Sequence, residues 1–344
     1  MSSSSRKIFA RSKNKEPGSL SLCEGSIIKN LLLFALPMMA GNLLQQIYNL
    51  ADTIIVGRFL GASALAAVGS AYTLMTFLTS LIIGLCMGSG ALLSSWTGAK
   101  KIEAFKEDLF LSFVFIFIVS ILINILVYMY MDAILAALAI PQEVYGLMKS
   151  YVSIVFFGLV FIFLYNFFAY VQRALGNSIA PLYFLGVSSV LNIGLDLYFV
   201  CILQLGVQGA ALATVLAQVL CAVGLALYTI FQKKDLFEKP KKIRFERLLF
   251  IIQNDIFSGL QQSVMNLGIL MIQGLVNTFG TIIMAAFAAA VKIDTLAYCL
   301  HRNLAMPILC LFRPIMEPIK QSALRKERSF LLESASRFVY AFRC

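Results

Sequence analysis

The feature that most constrains this chain is a series of apolar runs too long and too evenly apolar for a soluble core. The run "LFLSFVFIFIVSILINILVYMYM" (109–131) is apolar on every face of a helix. At about 1.5 Å per residue, such a run crosses the roughly 30 Å hydrocarbon core of a bilayer. The ten-residue alternating segments of a membrane barrel are absent. With 60% hydrophobic and 13% charged residues and a mean hydropathy of +0.86, too little polar surface remains to coat a soluble globule. The chain reads as an all-α polytopic membrane protein. Spans are expected at 31–56, 64–95, 109–131, 146–171, 181–203, 209–231, 250–278 and from 281 onward.

These spans divide the chain into a basic tail (1–30), a first six-helix bundle (31–231), a basic linker (232–249), two helices of a second bundle (250–298) and a tail of different character (299–344). Lys and Arg are disfavoured in translocated loops, so their distribution sets the orientation. They crowd the N-terminal tail (Arg6, Lys7, Arg11, Lys13, Lys15, Lys29), the loop at Lys100, Lys101 and Lys106, and the linker from Lys233 to Arg247. The opposite loops hold only Arg58 and Lys149. The N-terminus and the linker are therefore expected in the cytosol, with the linker a solvated connector. Topology accounts for the net charge of +11 without a nucleic-acid partner. The first thirty residues lack the apolar core and cleavage site of a signal peptide and read as a cytosolic tail.

Enzyme chemistry has little to stand on. His301 is the only histidine, no P-loop or nucleophile elbow is present, and the seven cysteines form no CxxC pair. No cofactor, disulfide framework or zinc site is expected.

Function should show instead in polar residues inside the spans, because a carboxylate at the bilayer centre costs about 2.5–3.5 kcal/mol and is kept only with partners or water. Asp52 ends a stripe of Asn42, Gln45, Gln46 and Asn49 whose three- and four-residue steps share one helix face. The stripe either lines a cavity or forms an interhelical hydrogen-bond seam. Asn192 and Asp196, four apart in "LNIGLDLYFV", present an amide beside a carboxylate to a cation or proton. Thr214 either reaches that pair or caps a carbonyl of its own helix. Lys292 and Asp294, two apart, face different sides, one of them snorkelling or facing a cavity. Pro37 removes a backbone bond and is expected to kink the first helix.

An ungapped shift of 219 residues lays "GASALAAVGSAYTLMT" (61–76) on "GTIIMAAFAAAVKIDT" (280–295), matching Gly61, Ala66, Ala67, Ala71 and Thr76. This agrees with a parallel repeat of six-helix units.

The segment "LPMMAGNLLQQIYNLADTIIVGRFLGASALAAVGSAY" resembles the first helices of the multidrug and toxic compound extrusion (MATE) family, and the resemblance continues through "VQRALGNSIAP", "LNIGLD", "GVQGAALAT" and "LVNTFGTIIMAAFAAAVKIDTLAY" over about residues 26–298. It implies two pseudo-symmetric six-helix bundles around a cavity that opens alternately to either side. It further implies export of small organic cations or amphipathic drugs in exchange for sodium ions or protons, from a multi-pass position in a bacterial inner membrane, with no obligate protein partner. Carried over by residue, the cation or proton site, including any bound sodium, matches Asp52 and Asp196, with Asn192 and Thr214 beside them. Asn166 joins Asn42, Gln45, Gln46 and Asn49 as a cavity candidate, and Pro37 matches the bent first helix.

After Tyr298 the sequence turns basic and proline-broken, "CLHRNLAMPILCLFRPIMEPIKQSALRKERSF", unlike its repeat counterpart. Restoring one base in a permissible back-translation gives YMPAQEFGNAYSMFISSNYGANKTERF, whose "YGANK" falls on "TGAKK" (97–101) at the same offset. A shifted reading frame is therefore expected here. Two other classes stay open: a flippase for lipid-linked sugars on a related fold, which would need cavity cations to meet phosphate, and a fragment that inserts without transporting.

Overall fold

The computed structural model describes residues 27–238, 240 and 243–295, and these are helical throughout apart from short connections. The stretch Ile27–Gly98 is broken at Gly61, whose φ of 86° and ψ of −176° lie in a region essentially restricted to glycine. The break separates α1 (27–60) from α2 (62–98). There follow α3 (Ile102–Met129), the short α4 (Met131–Ala137), α5 (Gln142–Phe157), α6 (Leu159–Ala174) and α7 (Ile179–Asp196). A π-helical turn, Leu197–Ile202, continues α7, and α8 (Gly206–Gln232), α9 (Phe245–Asn277) and α10 (281–295) complete the described chain. The expected shifted frame and the 299–344 tail fall outside the described residues.

Among the described residues four stretches are long and apolar enough to cross a membrane, Met39–Gly98, Ile102–Met129, Ile179–Ile202 and Gly206–Gln232. The span expected at 146–171 is instead a pair, α5 and α6, bent by 42°. Pro37 lies in backbone of helical dihedrals, and the non-helical break of that stretch is at Gly61, 24 residues further on. An aromatic cluster joins α3 to α6, with Phe113 centred 5.5 Å from Phe163 and 5.2 Å from Phe167.

The internal repeat has a backbone counterpart. At the 219-residue offset Gly61 falls on Gly280, and Gly280 also has a left-handed φ, 92°, at the junction of α9 and α10. Gly69 falls on Ala288, and these two positions touch: a Cβ built on Gly69 would overlap the Ala288 side chain. α2 and α10 therefore approach one another at equivalent positions of the repeat.

Along α9, α2 makes a polar seam. Gln273 Nε2 donates to Ser70 Oγ (2.9 Å) and to Asn277 Oδ1 (2.8 Å), Ser70 Oγ donates to Asn277 Oδ1 (3.0 Å), and Thr73 Oγ1 donates to Gln273 Oε1 (3.1 Å). Asn277 Nδ2 reaches the Leu138 carbonyl at 2.7 Å. Such bonds contribute about 0.6 kcal/mol each inside a membrane and hold register more than they add stability.

The linker is not the solvated connector expected from its charge. Arg247 makes a two-pronged pair with Asp108, Nε to Oδ1 and Nη2 to Oδ2 both at 2.7 Å, where Asp108 is fully buried. Trp96 Nε1 donates to the same carboxylate at 2.6 Å, and the Arg247 guanidinium lies 4.5 Å from the Trp96 ring centroid. Arg244 binds Glu107 through Nη2 (2.7 Å) and its backbone N–H (3.0 Å), and Lys106 pairs with Glu238 at 2.9 Å. Glu107 and Asp108 sit in the second turn of α3, where the charge-assisted bonds from Arg244 and Arg247 hold them. Positive charge close to a connection thus serves here to tie α9 to α3.

Candidate functional site

Asp52 lies nine residues before the Gly61 break, about 14 Å along α1, and is half-buried there. Its Oδ1 is buried and accepts no hydrogen bond. On α7, Asp196 is fully buried with both carboxylate oxygens unpartnered, and Asn192, one turn earlier, has both amide atoms buried without partners. The two helices pack on one another, a Cβ at Gly41 of α1 meeting Leu182 and Leu185 of α7 at 3.6 Å.

The structure thus gathers three sequence-predicted residues, Asp52, Asn192 and Asp196, from two helices about 140 residues apart. Buried polar atoms are almost always paired, so the unpartnered oxygens of Asp52, Asn192 and Asp196 make these residues the candidate ligand site. An interhelical hydrogen-bond seam, the alternative use of such residues, is found instead between α2 and α9. The donors offered are all oxygen, two carboxylates and an amide, which suits a hard monovalent cation or a proton. Directly after Asp196 the helix widens into the π turn Leu197–Ile202, a local loosening that often accompanies functional sites.

Other candidates lie elsewhere or are engaged. Thr214 Oγ1 donates to its own-helix carbonyl at Ala210 (3.0 Å), the capping option, and Asn166 Nδ2 donates to Ile162 O (2.8 Å). Asn42, Gln46 and Asn49 are half-buried and Gln45 is exposed. Lys292 and Asp294 do part company: Lys292 is buried on the inner face of α10 and Asp294 is exposed.

Two groups escaped the sequence reading. Asp255, fully buried in α9, accepts from Ser89 Oγ of α2 and, at 3.3 Å, from Asn254 Nδ2, and the rule that singled out Asp52 applies equally to it. Asp108 looks like an ordinary helix-start acid, and only tertiary contact shows its burial. Away from the bundle interior, an open cavity of about 460 Å³ is lined by Tyr128, Asp132, Tyr145 and Lys149 among others, with Lys149 paired to Asp132 at 2.5 Å.

The MatE family model matches residues 37–198. The probable multidrug resistance protein YpnP of Bacillus subtilis is 31% identical over 273 residues, covering 79% of this chain and 61% of that protein. An inward-facing structure of a multidrug resistance MATE family transporter of the MOP superfamily superposes with a TM-score of 0.63 at 26% identity, over 74% of this chain and 60% of that one. An outward-facing structure of such a transporter gives a TM-score of 0.68 at 22% identity, over 88% of this chain and 72% of that one, which speaks to the fold alone. The chain spans about three fifths of the length of the curated relative. With its apolar helices, these matches make it a multi-pass membrane protein.

Proposed function

We infer, since the chain belongs to the MATE family, that it provides the ion-coupling half of an exporter of drugs or toxic organic compounds, a transporter and not an enzyme. Asp52 and Asp196 bind the coupling cation, a sodium ion or a proton, with Asn192 supplying an amide oxygen. The observation that carries this reading is the set of buried, unpartnered oxygens of Asp52, Asn192 and Asp196 inside membrane-crossing helices. An ion arriving there satisfies them, and that difference between loaded and empty states is what an exchanger needs to link two conformations.

A cytosolic N-terminus is the orientation the Lys and Arg distribution favours, and residence in a bacterial inner membrane is what the resemblance to bacterial exporters implies. That orientation puts the Arg244 and Arg247 ion pairs at the cytosolic end of the bundle. Small organic cations and amphipathic drugs are the substrates that an acidic interior admits.

Asp52→Asn and Asp196→Asn remove charge and keep shape. Ethidium uptake into inverted membrane vesicles, which corresponds to export from the cell and is driven in turn by sodium and by pH gradients, should be lost in both variants at equal membrane levels. Undiminished ion-driven efflux in either variant removes that residue from the coupling site, and the gradient that supports efflux identifies the ion.

A further inference from the structure

Lys292 is a buried ammonium among membrane helices, and no carboxylate of the described residues stands within ion-pair distance of it. Its place is set by packing. Met284, Ala285, Ala288 and Lys292 form the buried face of α10, and Ala288 rests on Gly69 of α2. One turn further along both helices, Lys292 Nζ lies 3.0 Å from the centroid of the Tyr72 ring. A ring face holds a cation without neutralising it. Tyr72 follows Gly61 by eleven residues and Asp52 precedes it by nine, so on the α1–α2 hairpin the two stand at about the same depth.

We propose that Lys292 is the resident counter-cation of Asp52, a tethered ammonium that stands in for the coupling ion when the ion has left. The proposal rests on the reading of Asp52 as a coupling carboxylate. A lone carboxylate in a low-dielectric interior is costly, and so is a lone ammonium, so an ion-free site is most stable when the two approach. A sodium ion or proton at Asp52 does the same job and frees Lys292 to the Tyr72 ring. Because Lys292 rides on α10 and Asp52 on α1, whose repeat counterpart is α9, exchanging one cation for the other links the ion to the relative position of the two helical pairs. Tyr72, from α2, is the group the structure sets against the Lys292 ammonium.

The test is kinetic, on the full protein in liposomes with ethidium as probe and the effective gradient, sodium or proton, titrated. Lys292→Met removes the competitor, so the half-saturating concentration of the driving ion should fall at least fivefold. Return of the ion-free carrier loses its counter-charge, so the ratio of ethidium exchange to net efflux should rise about tenfold. Lys292→Arg keeps a charge in a bulkier, more diffuse form. It serves if the Met variant does not accumulate, and should shift the same half-saturating concentration by twofold or more. An unchanged ion dependence in the variants, alongside loss of efflux in Asp52→Asn, overturns the proposal and leaves the Asp52 reading standing. Intact ion-driven efflux in Asp52→Asn overturns both.

Discussion

The two helical hairpins related by the 219-residue repeat, α1–α2 and α9–α10, share a backbone and differ in chemistry. Each turns at a glycine of positive φ, Gly61 or Gly280, and they meet at Gly69 and Ala288. Yet Asp52 corresponds to Met271, and Asn42, Gln46 and Asn49 correspond to Gln261, Met265 and Gly268. Thr73 of the first hairpin corresponds to Lys292 of the second. Small residues and glycines preserve the close approach of helices, which is a property of the backbone, while the ionisable groups are free to diverge. A symmetric scaffold thus carries an asymmetric pair, a carboxylate on one side and an ammonium on the other.

The largest test of this comparison strikes the tie between the two units. Arg247 has no repeat equivalent, since the offset places it on Ile28. Arg247→Ala would leave the fully buried Asp108 uncompensated, at a cost of about 3–5 kcal/mol. Thermal unfolding in detergent should show it, and Asp108→Leu in the same protein should recover much of the loss. Equal stability of the single variant and the parent would mean the ion pair is solvated.

Next comes the asymmetry itself. Asp52→Asn should reduce ion-driven efflux about a hundredfold, and adding Met271→Asp should not restore it, because Met271 is exposed and the partners of the site lie on α7. Restoration by the second change would show the hairpins to be functionally interchangeable.

The shared backbone is tested by Gly61→Ala and Gly280→Ala, each of which places a Cβ in a left-handed conformation at about 1–2 kcal/mol. Similar losses of thermal stability are expected from the two. A neutral result at one position alone would break the equivalence of the turns.

A smaller effect is expected at the Asp132–Lys149 pair, which lies outside the interior. The hydrogen bond from Lys149, then that from Tyr145, holds the Asp132 carboxyl below the usual carboxylate range. A depressed folded value means that the contribution is present above the unfolded pKa and is lost as pH falls through the folded one, so neutral pH leaves it intact. Titration of Asp132 followed by carbon NMR should give a midpoint below the ordinary value, and Lys149→Met should raise it. An unaltered midpoint would show the pair to be dispersed by water.

Helix positions were legible because bilayer thickness imposes a length and composition on any spanning segment. The start of α7 falls two residues from the expected 181 and that of α8 three from 209. Asp52, Asn192 and Asp196 stood out because an ionisable or amide group in an apolar run is costly and therefore informative. The bend between α5 and α6, the π turn after Asp196 and the burial of Asp108 left no comparable trace. Each depends on what the neighbouring helices present at that depth, and local spacing is silent on that.

The linear sequence by itself determined that this chain is a multi-pass helical protein, and it marked Asp52 and Asp196 as costly groups inside apolar runs. Those conclusions need only hydrophobic length, periodicity and the cost of burying charge. Tertiary structure alone decided which polar groups are spent on one another and which stay open. Ser70, Gln273 and Asn277 satisfy each other across the α2–α9 seam, Thr214 and Asn166 bind their own helices, and Asp52, Asn192 and Asp196 are left unpartnered. A hydrogen bond requires a partner within about 3 Å at a suitable angle, and whether residues 200 positions apart meet that condition is fixed by how helices pack, which no spacing along one helix encodes.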